Sequence, residues 1–164
     1  MAPLRVRPRL APMAGRKLRS AALVAVYRHL PREVFSVRAL DGPDKGRVLG
    51  HGTQLGLREA RMVVNERARR KIAAGSPKDV HAWITGRLST VTLRDPVRIT
   101  YRPHQRGEFF VAETGQPIWA AAQTGQPIWA AAAVAFHGTQ VFVDRAELVG
   151  LAVTENPAGG GTSQ

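Results

Sequence analysis

The chain has 164 residues, with 24 Lys and Arg against 12 Asp and Glu, so its net charge at pH 7 is +12. The absence of cysteine excludes a disulfide scaffold, a thiolate zinc site and a cysteine nucleophile. A chain with this excess of positive charge attracts polyanions, and nucleic acid is the commonest polyanion in a cell.

The N-terminal segment is the most basic part of the chain. Its first nineteen residues contain no acid and six cations, namely Arg5, Arg7, Arg9, Arg16, Lys17 and Arg19. Pro3, Pro8 and Pro12 would interrupt an amphipathic helix, so we expect residues 1–21 to form a disordered basic arm. A targeting segment, or a start codon set too far upstream, is the alternative.

The centre of the chain, residues 22–150, is expected to form one domain. Short β-branched and aromatic runs at 23–29 and 33–39 predict a hairpin. Asn65 is a candidate cap for a helix that ends at Ala74. Further strands are expected at residues 47–50, 54–57, 61–64, 80–88, 97–101, 108–112 and 140–143. The predicted fold class is α+β, with a bent antiparallel sheet or partial β-barrel and one main helix.

A tandem duplication follows, in which Thr114–Ala122 and Thr124–Ala132 share the sequence TGQPIWAAA. Two copies are too few for a solenoid. We therefore expect one copy to pack in the core and the other to form a surface excursion, so that deletion of Gly115–Thr124 leaves a folded protein. A shorter repeat, His-Gly-Thr-Gln at 51–54 and 137–140, predicts two similar turns.

The glycine-rich C-terminal segment, residues 151–164, is expected to be a flexible tail.

Two basic clusters follow the arm along the chain, one within residues 58–71 and one within residues 87–106. Ordinary charge runs are solvated faces. A function in nucleic-acid binding requires these clusters and the arm to share one side of the fold. The candidate phosphate-binding residues are Arg5, Arg7, Arg9, Arg16, Lys17, Arg19, Arg58, Arg61, Arg67, Arg69, Arg70, Lys71, Arg98 and Arg102. Trp83, Tyr101 and Phe109 are candidate stacking surfaces.

Catalytic chemistry has little support in the sequence. The five histidines show no metal-ligand spacing, and no P-loop or nucleophile elbow is present. We therefore expect no catalytic residue, no metal site, no cofactor and no enzyme activity. A small hydrolase or nuclease that uses His81, His104 or Glu108 is therefore the hypothesis with the least support.

A structural or protein-interaction module is another hypothesis. In it the arm binds an acidic protein, and Trp119 and Trp129 supply an apolar contact.

Three stretches of the chain resemble an uncharacterised family of small bacterial and phage-associated proteins. They are Val26–Leu30 with Phe35–Arg38, Lys78–Leu88, and Ile99–Pro103 with Phe109–Val111 and Gly115–Ile118. The resemblance covers roughly residues 26–145 and implies a phage or mobile-element setting. It implies no activity and no functional residue.

The leading hypothesis is a non-enzymatic accessory protein that binds DNA or RNA with little sequence preference, in a phage, a mobile element or a bacterial host. We expect it in the cytoplasm, since the absence of cysteine fits a reducing compartment. We expect no transmembrane segment, because the best candidate, Ala21–Tyr27, is far shorter than the ~20 residues that a transmembrane helix needs.

Overall fold

Strands make up most of the structure. The computed structural model describes residues 2–13, 15, 19, 21–29, 33–64, 82–101, 109–118 and 127–148. Its elements are β1 (Leu4–Val6), β2 (Arg9–Pro12), β3 (Leu23–His29), β4 (Val34–Ala39), β5 (Val48–Val64), β6 (Ala82–Leu88), β7 (Val91–Leu93), β8 (Pro96–Tyr101), β9 (Phe109–Val111), β10 (Pro117–Ile118), β11 (Pro127–His137), β12 (Gln140–Asp144) and one helical turn, α1, at residues 145–148.

The long strand β5 is the element around which the sheet closes. Its first half pairs with β4, where Gly50 lies opposite Val37, and its second half pairs with β6, where Met62 lies opposite Ile84. Strand β3 pairs with both β4 and β6. The strands β5, β4, β3 and β6 therefore form a closed circuit of antiparallel pairings.

A bulge lets β5 change direction within its 17 residues. Glu59 has a positive φ of 51°, and β5 has one residue more than β6 between Arg58 and Arg61. Such an extra residue bends the strand and increases its twist. The bend gives the two ends of β5 different partners.

The remaining strands extend the sheet from the other edge of β5. Strand β11 lies antiparallel to β5, and β12, β8, β9 and β10 follow in that order. Strand β2 pairs with the first half of β5, so that Arg9 lies opposite Gln54. Strands β1 and β7 form a separate two-stranded sheet.

The main core joins the inner face of this circuit to apolar residues of β8 to β12. The row Met62, Ile84, Val26 and Val37 crosses four strands and is at most 3% exposed at each position. Phe35 meets Phe136 edge to face, with ring centroids 4.9 Å apart. Burial of each such side chain stabilises the fold by about 1.5–3 kcal/mol.

A smaller core lies on the other side of β11. Val6, Val91 and Leu93 from the β1–β7 pair pack there with Ala135. The N-terminal strand is therefore held by apolar contacts and by its pairing with β7.

Three glycines in β5 allow other backbone segments to lie directly against that strand. A Cβ atom at Gly50, Gly52 or Gly56 would overlap a backbone carbonyl oxygen, that of Ala11, Arg9 or Ser89 respectively. The close approach of backbone explains why this part of the sequence is rich in glycine. The glycines of β5 therefore need no phosphate-binding role to explain them.

The predicted α+β class is wrong. About two thirds of the described residues are in strands and 4% are helical, and the described helix is α1 alone. The helix expected at 65–74 and the tail at 151–164 lie outside the described residues. The hairpin prediction is confirmed, since β3 pairs with β4 in register from Val24–Ala39 to His29–Val34.

The expectation of a disordered arm is also wrong for residues 4–12, which contain β1 and β2. Apolar Leu4 and Val6 alternate with Arg5 and Arg7, and this period of two suits a strand with one buried face. Pro8 falls between β1 and β2, where it costs no ladder hydrogen bond. Non-local pairing with β7 and β5 completes both strands.

The repeats behave differently from expectation. Ile118 of the first copy is 2% exposed in β10, and the second copy begins β11 at Pro127. Both copies thus place residues in the sheet, and the expected surface excursion is wrong for these positions.

The two His-Gly-Thr-Gln segments do not form two similar turns. Residues 51–54 lie within β5, whereas Gly138 forms a turn, and its N–H donates to the Thr53 carbonyl over 2.8 Å.

We expect Gly52→Ala to lower the free energy of unfolding by about 1–3 kcal/mol, because the added methyl group displaces β2 from β5. Urea denaturation followed by circular dichroism measures the change. Gly138→Asn is the control, since this position is open and asparagine tolerates its φ of +67°. Equal stability of Gly52→Ala and the unsubstituted protein would contradict the proposed packing.

Candidate nucleic-acid interface

A row of residues crosses the outside of the four-stranded circuit. Arg61 on β5 lies opposite Thr85 on β6, Thr85 opposite Ala25 on β3, and Ala25 opposite Arg38 on β4. Directly opposed residues in antiparallel strands share one face of the sheet. Arg38 and Arg61 are exposed, and they stand at the two ends of this row.

The bulge in β5 places a second arginine on the same face. Arg58 and Arg61 are three residues apart, and a regular strand would point them to opposite faces. The extra residue at Glu59 restores the alternation, so Arg58 lies opposite Arg87 and on the side of Arg61. Gly86 permits this, because a Cβ there would come within 2.9 Å of the Arg58 carbonyl oxygen.

Two aromatic side chains complete this surface. Tyr27 is two residues beyond Ala25 on β3, and Trp83 is two residues before Thr85 on β6, so both belong to the outer face. The guanidinium of Arg38 lies 5.7 Å from the Tyr27 ring centroid. Tyr27 and Trp83 are half-buried. We call this surface the arginine face, and its members are Arg38, Arg58, Arg61, Arg87, Tyr27 and Trp83.

Few carboxylates neutralise the arginine face. Arg87 pairs with Glu59 at 3.5 Å and with Asp41 at 4.0 Å. In the part of the chain that the structure describes, no carboxylate lies within 4.0 Å of Arg38, Arg58 or Arg61. Three guanidiniums therefore face solvent without a described ionic partner.

A second ion-pair group joins α1 to residues beside β8 and β9. Arg145 on α1 donates to Glu113 over 2.9 Å and to Asp95 over 3.0 Å. These hydrogen bonds, that to Glu113 first, raise the pKa of Arg145 above its ordinary value. This group ties α1 to the segments that flank β8 and β9, and its arginine is already satisfied.

The structure brings together only part of the predicted site. Arg58 and Arg61 lie on the arginine face. Arg9 on β2 lies opposite Gln54, which is four residues or about 13 Å from Arg58 along β5. Val91 of β7 packs against Gly56, between these two positions. Half of the candidates lie outside the described residues: Arg16, Lys17, Arg67, Arg69, Arg70, Lys71 and Arg102.

The other predicted residues are spread over the surface. Arg5 lies opposite Thr92 on the β1–β7 pair. Arg98 lies opposite Phe142 on β12 and borders the same cleft as Tyr27 and Trp83. Arg7 and Arg19 are exposed in connecting segments. Arg38, Arg87 and Tyr27 were not predicted as site residues, although the alternation of β3 and β4 could have assigned Arg38 and Tyr27 to a solvent face. Among the stacking candidates, Phe109 is buried and the side chain of Tyr101 is not described.

Among the described residues, Ser36 and His51 form a hydrogen-bonded pair. Ser36 Oγ is 2.9 Å from His51 Nδ1, but Ser36 is fully buried and cannot reach a substrate. This pair ties β4 to β5 as opposed residues of the ladder. His81, His104 and Glu108 lie outside the described residues, and within the described ones no three His, Asp or Glu residues gather around a common point.

None of the helical residues that the structure describes forms a segment with the length and hydrophobicity needed to cross a membrane.

Comparison with known proteins gives a family match. A family model described as Mycobacterium phage L5 gene 82 protein matches residues 17–144. The Gene 82 protein of Mycobacterium phage L5 is 35% identical over 106 residues, which cover 60% of this chain and 84% of that protein. No solved structure matches the chain.

Proposed function

This chain belongs to the Mycobacterium phage L5 gene 82 protein family, and from that premise we propose that it is a non-enzymatic accessory protein that binds nucleic acid. The family is phage-associated and its function is unknown, so the proposal rests on the residues of this chain. The observation that carries it is the placement of Arg38, Arg58 and Arg61 on one face without described carboxylate partners.

Phosphate groups are the ligands that such a face would attract. Guanidinium groups bind phosphate oxygens through paired hydrogen bonds, and these contacts carry little sequence information. The net charge of +12 adds a long-range attraction to any polyanion. The expected binding is therefore tolerant of sequence and sensitive to salt.

The salt dependence can be estimated from the three arginines. Each phosphate that is neutralised contributes about −0.7 to the log–log salt slope for a single strand and about −0.9 for a duplex. Three contacts thus predict a slope of about −2 to −3. Raising the salt concentration from 50 to 200 mM should weaken binding about 20- to 40-fold.

We expect the triple variant Arg38→Gln, Arg58→Gln, Arg61→Gln to lose most of this slope, because it removes all three candidate contacts. Fluorescence anisotropy of a labelled oligonucleotide at several salt concentrations measures it. Arg94→Gln is the matched control, since Arg94 is exposed between β7 and β8 and lies off the arginine face. A triple variant that keeps the affinity and slope of the unsubstituted protein contradicts this interface.

We expect Glu59→Gln to strengthen binding about threefold, since it removes a negative charge from the face and releases Arg87. The unfolding free energy should change by less than about 1 kcal/mol, because the pair is exposed. Glu113→Gln is the control, because it disrupts the analogous pair with Arg145 elsewhere on the sheet. An equal gain in both variants would assign the effect to net charge rather than to the face.

An acidic protein is the alternative partner for the same cations. Size-exclusion chromatography with mass measurement, with and without nucleic acid at 50 mM salt, separates the two. Absence of a nucleic-acid complex at that salt concentration would reject the proposed function.

A further inference from the structure

We infer that the nucleic acid bound by the arginine face is single-stranded, with bases stacked on Tyr27 and Trp83 and one base entering the adjoining cleft. This inference rests on the proposed function and names the substrate class of the same site.

The aromatic pair lies beside the row of arginines. The register that sets Val26 opposite Ile84 brings the next residues of these strands, Tyr27 and Trp83, to adjoining positions. Arg38 already lies over the Tyr27 ring at 5.7 Å. A π-face between cations is a platform on which any base can stack while the arginines hold the flanking phosphates.

Base stacking disfavours a duplex as the ligand. Phosphate contacts by the arginines need no entry into a groove, so they are open to a single strand and to a duplex alike. In a duplex, however, the flat faces of the bases are covered by their neighbours, so Tyr27 and Trp83 would have nothing to stack on.

A cleft opens next to the aromatic pair, where β3 and β6 approach β8 and the turn between β11 and β12. Its volume is about 180 Å³, and Tyr27 and Trp83 border it. Its floor is apolar and contains the Phe35–Phe136 pair. Ligand pockets usually start at about 300 Å³, so this one suits a single ring system rather than a whole cofactor.

Two arginines line this cleft, the half-buried Arg28 and the exposed Arg98. Arg28 lies opposite Phe35, on the inner face of the sheet. No carboxylate among the described residues lies within 4.0 Å of it. A base on the apolar floor would leave its own phosphate near this guanidinium, which is the arrangement that a splayed single strand offers and a duplex does not.

The first test compares a labelled 20-nucleotide single strand with the duplex of the same sequence at 50 mM salt. We expect the single strand to bind at least about tenfold more tightly. Equal binding, or tighter binding of the duplex, overturns the inference and leaves the proposed function intact. Binding of neither ligand overturns the proposed function itself, so the two failures are distinguishable.

Side-chain variants then locate the bases. Tyr27→Leu and Trp83→Leu should each lower single-strand affinity about 5- to 100-fold, while the weaker duplex binding stays the same. Arg28→Gln should reduce the single-strand salt slope by about 0.7 and leave the duplex slope unchanged. Equal losses for both ligands, or no loss for the single strand, contradict the stacking surface.

A crosslinking measurement on the unsubstituted protein removes any dependence on how the variants fold. A single strand that contains 5-bromouracil is irradiated in the complex, and the crosslinked peptides are identified by mass spectrometry. Crosslinks to Tyr27 or Trp83 support the inference. Crosslinks confined to peptides without either residue overturn it.

Discussion

The structure depends on the ability of β5 to pair with β4 at one end and with β6 at the other. The bulge at Glu59 and the glycines at 50, 52 and 56 make this possible, the first by bending the strand and the others by letting neighbouring backbone approach. Without the bend, β5 would offer one straight edge and the circuit through β3 would stay open. The inner face of that circuit forms one side of the main core, and β8 to β12 supply the rest.

The same bulge links the fold to the candidate interface. Alternation in a strand is strict, and an odd spacing separates two side chains onto opposite faces. Arg58 and Arg61 share a face because one residue between them is left out of the ladder with β6. The strain of a positive φ at Glu59 thus coincides with a surface that concentrates positive charge, and the Glu59 carboxylate itself restrains one of its arginines, Arg87.

Charge alone does not separate the arginine face from the rest of the surface. Arg5 and Arg94 are exposed away from the aromatic pair and the cleft, and Arg145 is held by two carboxylates. The arginine face differs because its cations adjoin two aromatic rings and a cleft with an apolar floor. This combination favours a ligand that is both an anion and a stack of planar rings. Family membership supplies the phage setting but no chemistry, so the residues themselves carry the functional argument.

The sequence by itself determined the local features. Its period-two alternation of apolar residues identified the β3–β4 hairpin, and its composition established the excess of positive charge. The tertiary structure decided which charges share a surface, because Arg38 and Arg61 become neighbours in one row only through pairings between strands distant in the chain. It also decided that residues 4–12 form strands β1 and β2, although their prolines and charges suggested disorder. Their strands need partners in β5 and β7, and pairing across such distances is set by the global fold rather than by local propensity.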